Sequence, residues 1–432
     1  MSKLPRPIFE SYEIFIDQDF SVGEPSMACV RAFIESFEYS IEALKGYLLA
    51  RNFLRVYSEN SLTFTSYRTH VERLLLWALI IKQKPLHVLR RLDAEEYLKF
   101  CRNPPADWVG PIVRGSFVTS DHSESTWGEP TMPNEKWRPF SMKVSKATKH
   151  VDHDSGDVAQ PQYTASQGTL NQIYSISTRF FEYLVEDGTV AGNPFRLIKK
   201  KGGNAGTPQE EGANRALTPL QWDYVLDTAE QMALAEPARH ERTLFVLATL
   251  FAMYLRVSDL VGRPNWTPVM GDFRQDPEGN WWYHVVGKGN KAGKIAMREA
   301  YINTYLKRYR RFMGMPELPH WDEKTPLLCT LRGRSGLSGR QVRALLQVVF
   351  DNALTKMRDE GRKAHEMDSL KTASAHWLRH TAATFDAPLR NAKDLQLDLR
   401  HSHLSTTQNV YYHSHDQERS KSLRGLGMRD RG

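Results

Sequence analysis

Apolar positions along this 432-residue chain fall into helical spacing in two regions separated by a long polar stretch. From Ala28 to about Ala50, the residues Phe33, Phe37, Ile41 and Leu44 recur at steps of four and three, which predicts one amphipathic helix. Thr63 leads into a second helix whose buried stripe is Val71, Leu74, Leu75 and Ala78. The run from Leu74 to Ile81 is too short to span a bilayer and reads as part of that core helix. Leu170, Ile173, Ile176, Phe180, Phe181 and Leu184 mark a further amphipathic helix. Leu244 to Leu255 is almost continuously apolar, as a buried helix would be. Trp281–Val286 and Lys294–Met297 flank a Gly/Asn turn and predict a β-hairpin. The pattern is that of a mainly α protein with a small antiparallel β-sheet in its C-terminal half.

Two interruptions divide the chain. Between about 103 and 167 periodicity collapses into Pro, Gly, Ser and charge, with isolated Trp108, Trp127 and Trp137. A structureless loop of this length is unusual inside a compact domain. An insert anchored by the tryptophans is the favoured reading, and a disordered excursion is the other. Lys199, Lys200 and Lys201 then open a basic, Gly-rich linker over residues 201–214. The expected organisation is a helical domain over 1–200, this linker, and a second domain over 215–432.

The second domain carries the candidate chemistry. His376, Arg379 and His380 stand at helical spacing and share a face. An arginine there offers a planar fork of donors to phosphate oxygens. Ser405 to Gln408 has the form of a capping box with Ser405 as N-cap, which mounts Tyr411 on a short helix. Arg256 follows the apolar run, one turn before Asp259, which would orient it. Lys288 and Lys291 sit at the hairpin tip, where a lysine can reach a phosphate or donate a proton; a solvated basic turn is the plainer alternative. In the first domain, Arg68 and Arg73 either touch DNA backbone or solvate an outer face.

Composition narrows the partners. Lys and Arg number 58 against 50 Asp and Glu, giving a net charge of +8 and a pI near 9.2, which suits a polyanion. Cys29, Cys101 and Cys329 are far apart, so neither a disulfide scaffold nor a cysteine-based metal site is expected, and a reducing, cytoplasmic setting is. His401, His403, His413 and His415 cluster in sequence, but without thiolates or regular spacing they do not read as a zinc site. The first residues lack the apolar core of a signal peptide.

In their order along the chain, Arg256 in LRVSDL, Lys288 in VVGKGNK, His376 and Arg379 in HWLRH, His401 in LRHSHLSTTQ and Tyr411 in NVYYH resemble the tyrosine recombinases, the family of phage-type integrases, Xer-like resolvases and transposon recombinases. The resemblance is specific over roughly 216–425 and weaker before that. It implies a two-lobed DNA clamp and site-specific recombination through a 3′-phosphotyrosine, in integration, excision or resolution of a mobile element. It further implies a homotetramer on two synapsed duplexes with short inverted-repeat core sites, with accessory DNA-bending or partner recombinase proteins possible. No cofactor, metal or ATP is implied.

The roles implied are Tyr411 as nucleophile, Arg256 and Arg379 on the non-bridging oxygens, His376 as proton acceptor, His401 as a donor to the phosphate and Lys288 as general acid. Asp259 and His380 would support them from behind, and Lys291, Lys199, Lys200, Lys201 and Arg68 are candidate DNA contacts, an exposed linker carrying lysines for solubility being the other reading of Lys199, Lys200 and Lys201. Two other readings share the fold: a type IB topoisomerase-like strand transferase, and a catalytically silent DNA-binding accessory protein. The chain also departs from the family pattern. Ten steps separate His401 from Tyr411 where many members have nine, Arg400 replaces the usual glycine before the histidine, and Asp259 replaces a glutamate.

Overall fold

The computed structural model describes residues 3–17, 28–118, 132–142, 163, 165–196, 198, 215–287 and 291–412. These fall into two compact units, one ending at residue 198 and the other beginning at 215. Lys199, Lys200, Lys201, the linker, Trp127, Lys288, His413 and His415 lie outside the described residues. The chain is mainly helical with one small antiparallel sheet in the second unit, and no described helix is long and apolar enough to cross a membrane.

The first unit contains α1 (Tyr12–Asp17), α2 (Ala28–Glu35), α3 (Ala43–Arg55), α4 (Ser61–Trp77), α5 (Arg91–Arg102) and α6 (Gln167–Glu186). The single helix expected from Ala28 to Ala50 is two helices. The chain turns through Tyr39–Ile41 and a left-handed Glu42 (φ 47°), which leaves Leu44 on the exposed side while Phe33 and Ile41 stay buried. Asn60 caps α4 by accepting from the Thr63 N–H at 3.0 Å, and the predicted stripe Val71, Leu74, Leu75, Ala78 is fully buried.

The described parts of the irregular insert pack into this core rather than away from it. Trp108, Phe117 and Phe140 are buried there. β1 (Val109–Gly110) pairs parallel with β4 (Phe140–Ser141), and β2 (Phe117–Val118) pairs antiparallel with β3 (Met132–Pro133). Arg73 secures the insert: it lies over the Phe140 ring and donates from Nε and Nη2 to the Pro139 carbonyl at 3.1 and 2.7 Å. At 5% exposure it neither faces solvent nor is free to touch DNA, contrary to both readings of the sequence. Arg68 is half-buried and donates to the Glu10 carbonyl, so it too has a structural partner.

The second unit is built on α7 (Pro219–Ala235), α8 (Pro237–Ala252), α9 (Val257–Val261), the sheet β5 (Phe273–Gln275), β6 (Trp281–Val286) and β7 (Ala292–Ala296), α10 (Glu299–Tyr301), α11 (Lys307–Phe312), α12 (Gly339–Asp359), α13 (Ala364–Lys371), α14 (Ala375–Asp386), α15 (Ala392–Leu399) and α16 (Leu404–Thr407). Thr218 and Gln221 form a reciprocal capping box that starts α7. The sheet order is β5-β6-β7, all antiparallel, with Tyr283 opposite Ile295. Both of these side chains turn into one core with Leu247 and Leu250 of α8, Leu346 and Phe350 of α12 and Leu378 of α14. Each such side chain contributes about 1.5–3 kcal/mol by leaving water. The core thereby fixes α8, α14 and the hairpin against one another.

Candidate active site

The helix α8 stops at Ala252, although the buried apolar run continues through Leu255 as expected. Tyr254 adopts a left-handed conformation (φ 52°), unusual for a residue with a Cβ, and swings the chain so that Arg256 immediately precedes α9. The Tyr254 phenol is held by Asp386, Arg390 and Arg298, and its carbonyl is thereby presented inward. Arg379 of α14 takes up that carbonyl. Its Nη1 donates to Tyr254 O at 2.6 Å, and its Nη2 donates to Leu399 O and, at 3.1 Å, to His401 Nε2. One buried guanidinium therefore joins the turn after α8, the end of α15 and the His401 ring.

Because His401 Nε2 accepts from Arg379, the neutral ring carries its proton on Nδ1, which donates to Thr407 Oγ1 at 2.9 Å. Both ring nitrogens are thus engaged, and His401 reaches a phosphate as a donor only if the bond to Arg379 opens. Burial, then the charges of Arg379 and Arg256, push His401 down to about 4. Burial, then the neighbouring Arg256, likewise brings Arg379 down to about 10. These shifts describe a pocket with more positive charge than its own carboxylates offset, which an anion would relieve.

Tyr411 sits on this cluster, 1% exposed, in a small core with Tyr254, Ala382, Ala383, Leu395 and Leu399. Its hydroxyl hydrogen-bonds His380 Nδ1 at 2.9 Å, and its ring lies parallel to that of His401 with centroids 6.3 Å apart. The phenol thus meets His380, expected behind the site, as well as the Arg379 guanidinium. His376, expected to take the tyrosine proton, is exposed on the same face and packs edge-on against His380 at 4.5 Å. Burial, then His376 and Arg379, holds His380 at about 4, so its ring is neutral near pH 7. Burial raises the Tyr411 phenol, while Arg379 and Arg256 pull in the opposite direction.

The mount of Tyr411 differs from the expected capping box. α16 starts at Leu404, after His403, so Ser405 lies inside the helix and Thr407 turns inward to His401. From Gln408 to Tyr412 the helix widens into a π-turn. A π-turn houses one residue more than an α-turn over the same length. This is where the additional step between His401 and Tyr411 is absorbed while Tyr411 keeps its inward direction.

Asp259, fully buried, accepts from the Arg256 backbone N–H at 3.0 Å and from Arg263 Nη2 at 2.9 Å, and pairs with Arg400. It therefore orients the Arg256 backbone and not, as expected, its guanidinium, which has no hydrogen-bond partner among the described residues. Lys291 is exposed at the hairpin turn, its carbonyl accepting from Gly287 N–H at 2.7 Å. Arg256, His376, Arg379, His380, His401 and Tyr411 thus belong to one cluster. Sequence reasoning missed Tyr254, Arg263 and Thr407. Tyr254 has no signal in the chain, because its role rests on a backbone angle. No group of three or more His, Cys, Asp or Glu is arranged to hold a metal ion among the described residues.

No family model matches the chain. It is 25% identical over 260 residues to tyrosine recombinase XerC of Pediococcus pentosaceus, covering 59% of this chain and 74% of that protein. To tyrosine recombinase XerC of Pelobacter propionicus it is 26% identical over 291 residues, covering 64% and 80%. In fold it is similar to XerH site-specific recombinase in a post-cleavage complex with palindromic difH substrate, with a TM-score of 0.52, 14% identity, and 98% and 99% coverage of the two chains. The Tn1549 transposon integrase in complex with circular intermediate DNA gives a TM-score of 0.50 at 16% identity, covering 87% and 98%. In sequence the chain is thus similar to two curated tyrosine recombinases, and it shares the helical fold of solved site-specific recombinases.

Proposed function

We propose that the protein is a site-specific recombinase that cuts and rejoins double-stranded DNA through a covalent tyrosine intermediate, in the movement or resolution of a mobile element. The observation that carries this reading is the Tyr411 hydroxyl, hydrogen-bonded to a neutral histidine and lying in the field of two arginines. A phenol with an ordinary pKa of about 10 is a poor nucleophile at neutral pH and needs such help.

In the proposed reaction, Tyr411 Oη attacks a backbone phosphorus in line with the 5′-oxygen. A phosphorus–oxygen bond to tyrosine forms as the bond to the 5′-oxygen breaks, leaving a 3′-phosphotyrosine and a free 5′-hydroxyl. Arg256, whose guanidinium has no hydrogen-bond partner among the described residues, and Arg379 neutralise the non-bridging oxygens as charge builds there. The phenolic proton passes to His380, the ring already in contact with it. A phosphate in the pocket offsets the arginine charges and raises the basicity of His380 above its resting level. Lys288, outside the described residues, is the proposed donor to the leaving oxygen on the strength of the family resemblance. His401 steadies Arg379 through its Nε2. Attack by a 5′-hydroxyl from a partner strand reverses the step, and the phosphodiester energy is conserved, so no ATP is consumed.

The test is trapping. Nicked duplexes, selected from a random pool by binding to the wild-type chain, are incubated with it in EDTA and resolved under denaturing conditions. A covalent protein–DNA adduct is expected from the wild type and none from Tyr411→Phe. Strand cleavage without adduct, or cleavage that requires added divalent ions, would sink this reading.

A further inference from the structure

Arg400 is the residue of this site whose identity the proposed chemistry does not use. It caps α15 in the left-handed region (φ 52°, ψ 46°), a conformation that glycine adopts freely and arginine does not. A strained backbone kept for a long charged side chain directs attention to what that side chain reaches. Its Nη2 pairs with Oδ2 of the buried Asp259. Its shaft lies along the base of the β6–β7 hairpin, over two glycines. A Cβ on Gly293 would meet Arg400 Cδ at 3.4 Å, and one on Gly287 would meet Arg400 Nη1 at 3.2 Å. Among the described residues the buried Arg400 Nε has no hydrogen-bond partner, and the guanidinium is held by Asp259 and packs against this bare stretch of backbone.

Asp259 gathers two further segments. The same Oδ2 accepts from the Arg256 N–H at 3.0 Å, and Oδ1 accepts from Arg263, whose Nε donates to Val286 O at 3.0 Å. We propose that Arg400 is a positioning residue: through Asp259 it locks the turn that presents Arg256, and the end of β6, to the turn that presents His401. The phosphate-holding groups then keep one geometry while the chain engages DNA. This proposal rests on the recombinase reading above and extends it to a residue that touches no reacting atom.

The experiment uses the full chain and three variants: Arg400→Gly, Arg400→Lys and Asp259→Asn. Each is assayed for melting temperature, DNA affinity and single-turnover cleavage of the selected nicked duplex, together with the Arg400→Gly/Asp259→Asn double variant. Glycine relieves the backbone and cuts the tie. Arg400→Gly is therefore expected to melt no lower than the wild type and to bind DNA with affinity within about threefold. Its cleavage should be about 100-fold slower, the size of effect that small misplacement of reacting groups produces. Arg400→Lys, which keeps the charge but not the fork, should fall between glycine and arginine. The double variant should cleave no slower than the worse single one.

The proposal is overturned if Arg400→Gly cleaves like the wild type, if it loses affinity as much as rate, if it melts lower, or if the two single effects multiply. Should Arg400→Gly fail to fold, that outcome too rejects the role, and Arg400→Lys with wild-type cleavage would confirm the rejection. Failure of the wild-type chain itself to form any adduct would instead sink the recombinase reading, and this one with it.

Discussion

Arg379 shows why one side chain in this pocket is hard to replace. It donates to two buried carbonyls, Tyr254 O and Leu399 O, and to His401, so it organises the protein before any DNA arrives. Lysine carries the charge on a single point and cannot span three acceptors in a plane. Arg379→Lys is expected to slow single-turnover cleavage by about 100- to 1,000-fold, the usual loss for one preorganised donor, while leaving DNA affinity nearly unchanged. Arg379→Ala should do the same and also lower stability, because each buried carbonyl left without a donor costs about 1–3 kcal/mol. Denaturant unfolding of both variants beside the cleavage assay checks the two halves of this expectation. A loss of DNA affinity equal to the loss of rate would show that Arg379 chiefly supports the fold. The HxxRH spacing made Arg379 legible from the chain. Its carbonyl partners were not, because they lie 125 and 20 residues away and meet it only after α8 and α15 have packed.

At the scale of elements, the last helix is the informative one. The count of ten steps from His401 to Tyr411 was visible in the sequence, but its consequence was not. An α-helix turns about 100° per residue, so one added residue would rotate Tyr411 away from Arg379. The π-turn over Gln408–Tyr412 absorbs that residue instead. Deleting Asn409 should therefore convert the π-turn to an α-turn and preserve adduct formation, and combining the deletion with Tyr411→Phe should abolish it. Adduct that survives in the combined variant would mean that Tyr412 has moved into the nucleophile's place. The β-hairpin was predicted correctly because aromatic and β-branched stretches flank a Gly/Asn turn, all of them neighbours along the chain. The helix from Ala28 to Ala50 was predicted wrongly because the left-handed Glu42 breaks it without a glycine or proline to announce the break.

For the whole molecule, the buried histidines make stability depend on pH. His380 and His401 stand at about 4 and His70 at about 3, all below the ordinary value of 6.5, with burial the first cause in each. Above 6.5 these rings are neutral folded or unfolded, so nothing is lost. Below it the unfolded chain takes up protons that the folded chain refuses until about 4, so stability declines as pH falls from 6.5 toward 4. Thermal melts at pH 7 and pH 5 should show this decline. His380→Gln and His401→Gln should each make the difference between the two smaller, and an unchanged difference in both would refute the assignment.

The sequence by itself determined the helical periodicities, the hairpin, the basic charge and the order of arginine, histidine and tyrosine motifs, since these depend on residues that are neighbours along the chain. Tertiary structure alone decided that the Tyr411 hydroxyl meets His380, that Asp259 serves the Arg256 backbone and Arg400, and that Arg73 belongs to the core. Those outcomes turn on burial and on a few positive backbone angles, which exist only once distant segments have packed around them.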